Sequence, residues 1–167
     1  MNYAKQNIGV PNQEVMKSAQ YNQNIYPYYY PFTPVDEEFR QISRYLPEYR
    51  DYFWVSNYGR VYNANSGYLV VPHQNINGYL TAAIRKKSDL TGTDPSQSIG
   101  IHILVCTCFN GPKPGPRHQV NHKDFNRTNN YAGNLEWMTS QENLDYSRAA
   151  GNYWDGNVYS SATRNEA

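Results

Sequence analysis

A chain of 167 residues can hold one ordinary domain or two small units that share a core. Its 39% hydrophobic content and mean hydropathy of −0.84 keep that core modest, and no apolar run approaches bilayer-spanning length. The net charge of +1 excludes a uniformly basic surface but hides an uneven distribution. Eight Lys or Arg lie between Arg60 and Arg127 (60, 85, 86, 87, 113, 117, 123 and 127), against Asp89, Asp94 and Asp124. Five acids crowd between Asp36 and Asp51. A basic middle suits phosphate contact and is also the ordinary pattern of a solvated face. The start of the chain lacks a secretory apolar region, so an intracellular protein with no membrane segment is expected. Cys106 and Cys108, one residue apart, exclude a disulfide framework and lack paired zinc spacing. They are expected to pack as small buried groups in a reducing compartment.

Residues 1–34 are rich in Asn, Gln and Tyr and end in Tyr26-Pro-Tyr-Tyr-Tyr-Pro-Phe-Thr-Pro34. Without aliphatic periodicity they are expected to be a disordered tail. From Asp36 the pattern changes. Phe39, Ile42, Tyr45 and Leu46 have helix-like spacing, stopped by Pro47. Tyr52 to Val55 and Arg60 to Asn63 are predicted strands, joined by the turn Ser56-Asn-Tyr-Gly59. Further strands are predicted at Tyr68 to Val71 and Tyr79 to Arg85, then a polar loop from Ser88 to Gly100. Ile101 to Phe109 is apolar on several faces and predicts a short buried helix, followed by a Pro- and Gly-rich connector from Asn110 to Arg117.

The most informative stretch runs from His118 to Asn143. It places His122, Asn134 and Asn143 on segments predicted as strand, strand and helix. Thr139-Ser-Gln-Glu142 is a capping box, so Asn143 falls early in the final helix, which Gly151 ends. Leu135 and Trp137 alternate with polar neighbours as in a half-buried strand, and Leu144 with Ala149 and Ala150 gives the helix an apolar side.

This order of residues resembles the HNH endonucleases, whose metal site is a β-hairpin folded onto one helix. The runs Phe39-Arg-Gln-Ile42, Val55-Ser-Asn-Tyr-Gly-Arg-Val61, Asn77-Gly-Tyr-Leu80 and His102-Ile-Leu-Val105 with Phe109 resemble the β-rich DNA-binding motif ahead of the nuclease unit in homing-type members. The resemblance implies an α+β fold, with a small antiparallel β-sheet domain followed by a ββα-metal nuclease fold. It divides the chain into the tail, a β-rich unit at 35–100, a nuclease unit at 101–151 and a second tail at 152–167. It makes His122 the general base and Asn121 and Asn143 the ligands of a divalent metal, Mg²⁺ or Mn²⁺. Asn134, counted with the catalytic group, bridges the hairpin loop, aided by Asp124, Asn129 and Asn130.

The residue chemistry fits those roles. A neutral imidazole can take a proton from an attacking water near neutral pH, and hard cations prefer oxygen donors. Yet a histidine at a strand end is equally an ordinary surface residue, and Asn143 equally an exposed polar one. Asparagine at 121, where the best-known pattern has aspartate, offers an oxygen without charge, so aspartate there is expected to tighten metal binding. Neighbours on a regular strand face opposite sides, so Asn121 and His122 share a site only where the strand twists or ends. His102 is expected to serve in structural hydrogen bonding.

The function expected is a metal-dependent endonuclease on double-stranded DNA that nicks one strand per site, with no stable protein partner. Candidate phosphate contacts are Arg60, Arg85, Lys86, Lys87, Lys113, Arg117, Lys123 and Arg127. The alternative is a DNA-binding protein whose HNH fold is degenerate and inactive.

Overall fold

The computed structural model describes residues 34–87 and 95–151. Both expected tails, apart from Pro34, lie outside these residues. Among these residues nine short strands form three antiparallel sheets. β1 (Phe39–Gln41), β2 (Phe53–Ser56), β3 (Val61–Asn63) and β4 (Tyr68–Leu69) make the first, in that order. β5 (His73–Gln74), β6 (Leu80–Arg85) and β7 (Ser96–Gly100) make the second, and β8 (His118–His122) pairs with β9 (Leu135–Thr139) in the third. α1 (Ile101–Phe109) follows β7, and α2 (Ser140–Ala149) follows β9. The expected α+β class holds.

β6 shows why these residues form strands. Leu80, Ala82 and Ile84 are buried while Ala83 and Arg85 are exposed, the period-two alternation of a sheet with one covered face. A single bridge, Tyr49 to Lys86, and the bond from Arg50 N to Arg85 O join the first segment of the chain to this sheet. α1 is buried at six of nine positions, as its all-round apolar pattern requires. Its Leu104, Val105, Cys106 and Cys108 meet Ile42 just after β1, Phe53, Val55 and Val61 from the first sheet, Leu80 and Ile84 from the second, and Leu135 from the third. One main core therefore joins the three sheets, beside a smaller cluster of Phe39, Trp54 and Tyr62 on the first, and truncating a fully buried residue such as Leu104 to Ala should cost about 2–5 kcal/mol. Burial pushes both thiols up to about 12, so they pack as neutral groups, as expected. Arg40 ties the edge strand to the helix: its guanidinium donates to Cys108 O at 2.8 Å, an end carbonyl of α1, and lies over the Phe109 ring.

Two expectations need correction. Phe39 to Leu46 is not an α-helix but β1 followed by a 3-10 turn at Ile42–Arg44. The run is too short to repay helix nucleation, and Phe39, Arg40 and Gln41 instead pair with Ser56, Val55 and Trp54. The end of the expected polar loop is strand β7, in register with β6 from Ser96–Arg85 to Gly100–Thr81. Its polarity misleads because Ser96, Gln97 and Ser98 are exposed. β5, only two residues, carried no signal. No helix among the described residues is long and apolar enough to cross a membrane.

Candidate active site

A cleft of about 330 Å³ opens between β8, α2 and the turn before β6. It is lined by Tyr79, Val120, Asn121, His122, Phe125, Arg127, Asn143 and Ser147. Three of the four residues expected at the centre, Asn121, His122 and Asn143, therefore meet in one place. Asn121 and His122 share it because β8 ends at His122. The chain reverses there through the bond from Phe125 N to His122 O, with Phe125 held at a left-handed φ of 61°.

α2 brings the third residue. Thr139 and Glu142 form both halves of the capping box, with Thr139 N donating to Glu142 Oε2 at 2.7 Å and Glu142 N to Thr139 Oγ1 at 3.2 Å. These bonds hold the Glu142 carboxyl below its usual range. Asn143 and Ser147, one turn apart, then share the cleft-facing side. Gly151, at φ 71°, ends the helix as expected. The expected apolar side is weaker than the sequence suggests: Leu144 is half-buried, Ala149 and Ala150 are exposed, and no residue of α2 is fully buried. Tyr146 anchors it instead, donating to Lys123 O at 2.9 Å and stacking on Phe125 with centroids 5.2 Å apart.

His122 is 5% exposed, and burial lowers its pKa. The bond to Asn130 and the charge of Asp124 oppose that shift, while Arg127 adds to it. The imidazole is therefore neutral at neutral pH. Its Nε2 lies 3.3 Å from Oδ1 of buried Asn130. With the hydrogen on Nε2, Nδ1 carries the free lone pair. Asn130, expected only as a loop cap, is thus the direct partner of the histidine. The first sheet supports it from below: a Cβ on Gly59 would stand 2.8 Å from the Asn130 Cβ, and Gly59 has φ 83°. Tyr58 and Tyr131 pack as a tilted ring pair beside this contact, centroids 4.9 Å apart. The Val-Ser-Asn-Tyr-Gly-Arg-Val turn thereby reaches the active-site loop.

Asn134 lies outside the cleft lining and ties the loop together. Its Nδ2 donates to Asp124 Oδ1 at 2.8 Å and Asn129 O at 3.0 Å, and its Oδ1 accepts from Asp124 N at 3.1 Å. Asn129 Nδ2 donates to the other Asp124 oxygen at 2.7 Å. Burial alone would raise the Asp124 pKa; the bonds from Asn129, Asn134 and Asn126 outweigh it and lower it. Lys123 N to Asn134 O, 2.9 Å, closes the loop at its neck, directly after the histidine.

The Nδ1 of His102 is buried with no hydrogen-bond partner among the described residues, and its ring packs between Tyr79 and His122 at 4.7 and 5.5 Å. Burial first, and then the neighbouring histidine, bring its pKa down to about 4. It packs as a neutral ring and extends the wall behind His122.

No group of three His, Cys, Asp or Glu side chains suited to a metal exists among the described residues. The lining side chains that carry oxygen are the amides of Asn121 and Asn143 and the hydroxyls of Tyr79 and Ser147. Asn121 Nδ2 donates to Glu136 Oε1 at 3.0 Å; a carboxylate only accepts, so the amide nitrogen must face it and Oδ1 is turned the other way. Asn143 has no hydrogen bond to its amide among the described residues. Two uncommitted amide oxygens beside room for water and phosphate fit a hard cation such as Mg²⁺ or Mn²⁺.

The basic candidates separate. Arg60 is corrected: it is 6% exposed and forms a buried ion pair with Glu37, Nε to Oε1 at 2.7 Å, so it is not placed to meet phosphate. Lys87 pairs with Asp51 at 3.0 Å, Lys86 lies over the Tyr49 ring, and Lys123 Nζ donates to Gly133 O. Arg85, Lys113 and Arg117 are exposed away from the cleft lining. Arg127 lines the cleft itself, its guanidinium over Tyr79 and its Nη1 on Asn77 O at 2.7 Å.

Residues 100–144 match the family model described as HNH endonuclease, and residues 37–85 match the NUMOD4 motif. Two uncharacterized HNH endonucleases of Acanthamoeba polyphaga mimivirus are similar, at 30% identity over 96 residues and 34% over 95. These matches cover 58% and 56% of this chain but 27% and 22% of the relatives, so the chain spans about a quarter of their length. The solved structure of the HNH homing endonuclease I-HmuI, described as showing its DNA binding and cleavage, superposes with a TM-score of 0.57 at 29% identity. That match covers 72% of this chain and 62% of the other. The chain is thus similar to the HNH endonucleases of the homing type, with an HNH endonuclease match at residues 100–144 behind a NUMOD4 match at residues 37–85 and a fold like that of the solved relative.

Proposed function

We propose that this chain is a metal-dependent endonuclease that hydrolyses phosphodiester bonds in double-stranded DNA. The observation that carries this reading is the convergence of His122, Asn121, Asn143 and Arg127 on one cleft. His122 is the base: Nδ1, left free by the Asn130 bond, takes the proton of the attacking water as the bond from phosphorus to the 3′ oxygen breaks. Asn121 and Asn143 hold the cation through their amide oxygens. Nucleases of this family generally use a divalent metal, which when bound stabilises charge on the phosphate and the departing oxygen. Arg127, fixed by Asn77 and Tyr79, presents its remaining donors to phosphate. Asn134 keeps the loop after the histidine in place.

One base and one pair of oxygen ligands serve one strand at a time, so nicking is the proposed outcome. Supercoiled plasmid incubated with Mg²⁺ or Mn²⁺ should become open circle before any linear form, and EDTA should stop the reaction. Linear product from the first time points would contradict the nicking. A second reading has support in the absence of any carboxylate from the cleft lining: a fold that binds DNA without cutting it. Plasmid retarded on a gel yet uncut in either metal would favour it.

A further inference from the structure

Glu136 is the cross-strand partner of Asn121 in the β8–β9 hairpin. Its half-buried carboxylate meets no cation within ion-pair distance among the described residues, and its hydrogen bond goes to the Asn121 amide nitrogen at 3.0 Å. A half-buried carboxylate with no cation is costly unless something uses its charge. Here the charge sits directly behind a side chain whose oxygen faces the cleft. An amide that donates to an anion is polarised, with more negative charge on its oxygen.

We propose that Glu136 is a positioning residue for the metal site, which turns Asn121 outward and lends it the charge that an aspartate would carry itself. This rests on the reading of Asn121 as a metal ligand. In that arrangement asparagine is not a weakened aspartate. The pair Asn121–Glu136 already holds one negative charge, divided between a ligand atom and the group behind it. The expectation from sequence, that Asn121→Asp tightens metal binding, then reverses. An aspartate at this position would set two carboxylates at hydrogen-bond distance with no donor between them, and each would push the other from its place.

The test is Mn²⁺ binding to the full chain, followed by loss of the free-ion electron paramagnetic resonance signal, with and without a DNA duplex, alongside melting temperature. Glu136→Gln keeps an acceptor for Asn121 but removes the charge. It should weaken Mn²⁺ binding about tenfold with little change in melting temperature, the low end of what partners of metal ligands supply. Asn121→Asp alone should also bind more weakly than wild type. The double variant Asn121→Asp with Glu136→Gln restores a donor between the two positions and should bind at least as tightly as wild type, a non-additivity that a merely structural role would not produce. Glu136→Gln within twofold of wild type, while Asn121→Ala loses Mn²⁺, would overturn the role of Glu136 and leave the ligand reading intact. Wild-type affinity in Asn121→Ala, or no binding by wild type even with DNA, would overturn the ligand reading and this proposal with it.

Discussion

Replacing Asn130 by Ala removes the one side chain among the described residues that holds the His122 ring through a hydrogen bond, without touching the cleft itself. The bond is long, 3.3 Å, so its own net contribution lies at the low end of about 0.5–1.5 kcal/mol. The larger effect is the buried Nε2–H left without a partner, which costs about 1–3 kcal/mol unless the ring turns to find one. A turned ring moves Nδ1 away from the water it must deprotonate. A loss of about 1–2 kcal/mol in the transition state corresponds to cleavage about five- to thirtyfold slower. The pH dependence gives an independent reading. The Asn130 bond raises the His122 pKa against the lowering effect of burial, so its loss should move the acid limb of the rate profile to lower pH. The assay is single-turnover nicking of plasmid at saturating Mg²⁺ across the acid range. A wild-type rate with an unmoved acid limb in Asn130→Ala, in a protein where His122→Ala is inactive, would refute this positioning.

Other outcomes follow from the same structure. Arg60→Ala strands Glu37 without its cation and should cost about 3–5 kcal/mol of stability, read by denaturant unfolding, while the salt dependence of DNA binding stays unchanged. Arg127→Ala should do the reverse, lowering the slope of log affinity against log salt by about one with little loss of stability. His102 has a folded pKa of about 4, below the ordinary 6.5, so the unfolded chain binds its proton first as pH falls. Its contribution to stability is therefore intact above pH 6.5 and is lost progressively toward pH 4, by on the order of 3 kcal/mol. His102→Phe should flatten that part of the stability profile. Asn134→Ala breaks three bonds to Asp124 and Asn129, and amide hydrogen exchange in residues 123–130 should quicken while α1 stays protected.

Much of this site was legible because it depends on local chemistry. The capping box, the alternation at Leu135 and Trp137, and the glycine after the helix each report their structure within a few residues, and together they set Asn143 opposite the end of β8. What stayed hidden came from pairings distant in sequence. Asn130 reads as one more loop asparagine until Gly59, 71 positions earlier, is seen to press against it. Arg60 reads as a surface cation because Glu37, its partner, lies in the acidic stretch before the first strand. Glu136 looks like the polar half of an alternating strand, and only the β8–β9 register puts it on Asn121. β7 was lost to its own exposed serines, and β1 to a spacing that suits a short helix equally well.

The most direct measurement of the central claim is His122→Ala examined for binding and cutting on the same labelled duplex. The imidazole is buried at the end of β8 and is assigned to proton transfer. The variant should therefore bind DNA within about twofold of wild type and melt within a few degrees of it, while its single-turnover cleavage falls by about 10²–10⁴-fold in Mg²⁺ or Mn²⁺. Cleavage by His122→Ala at the wild-type rate would contradict the account, whatever the other variants do.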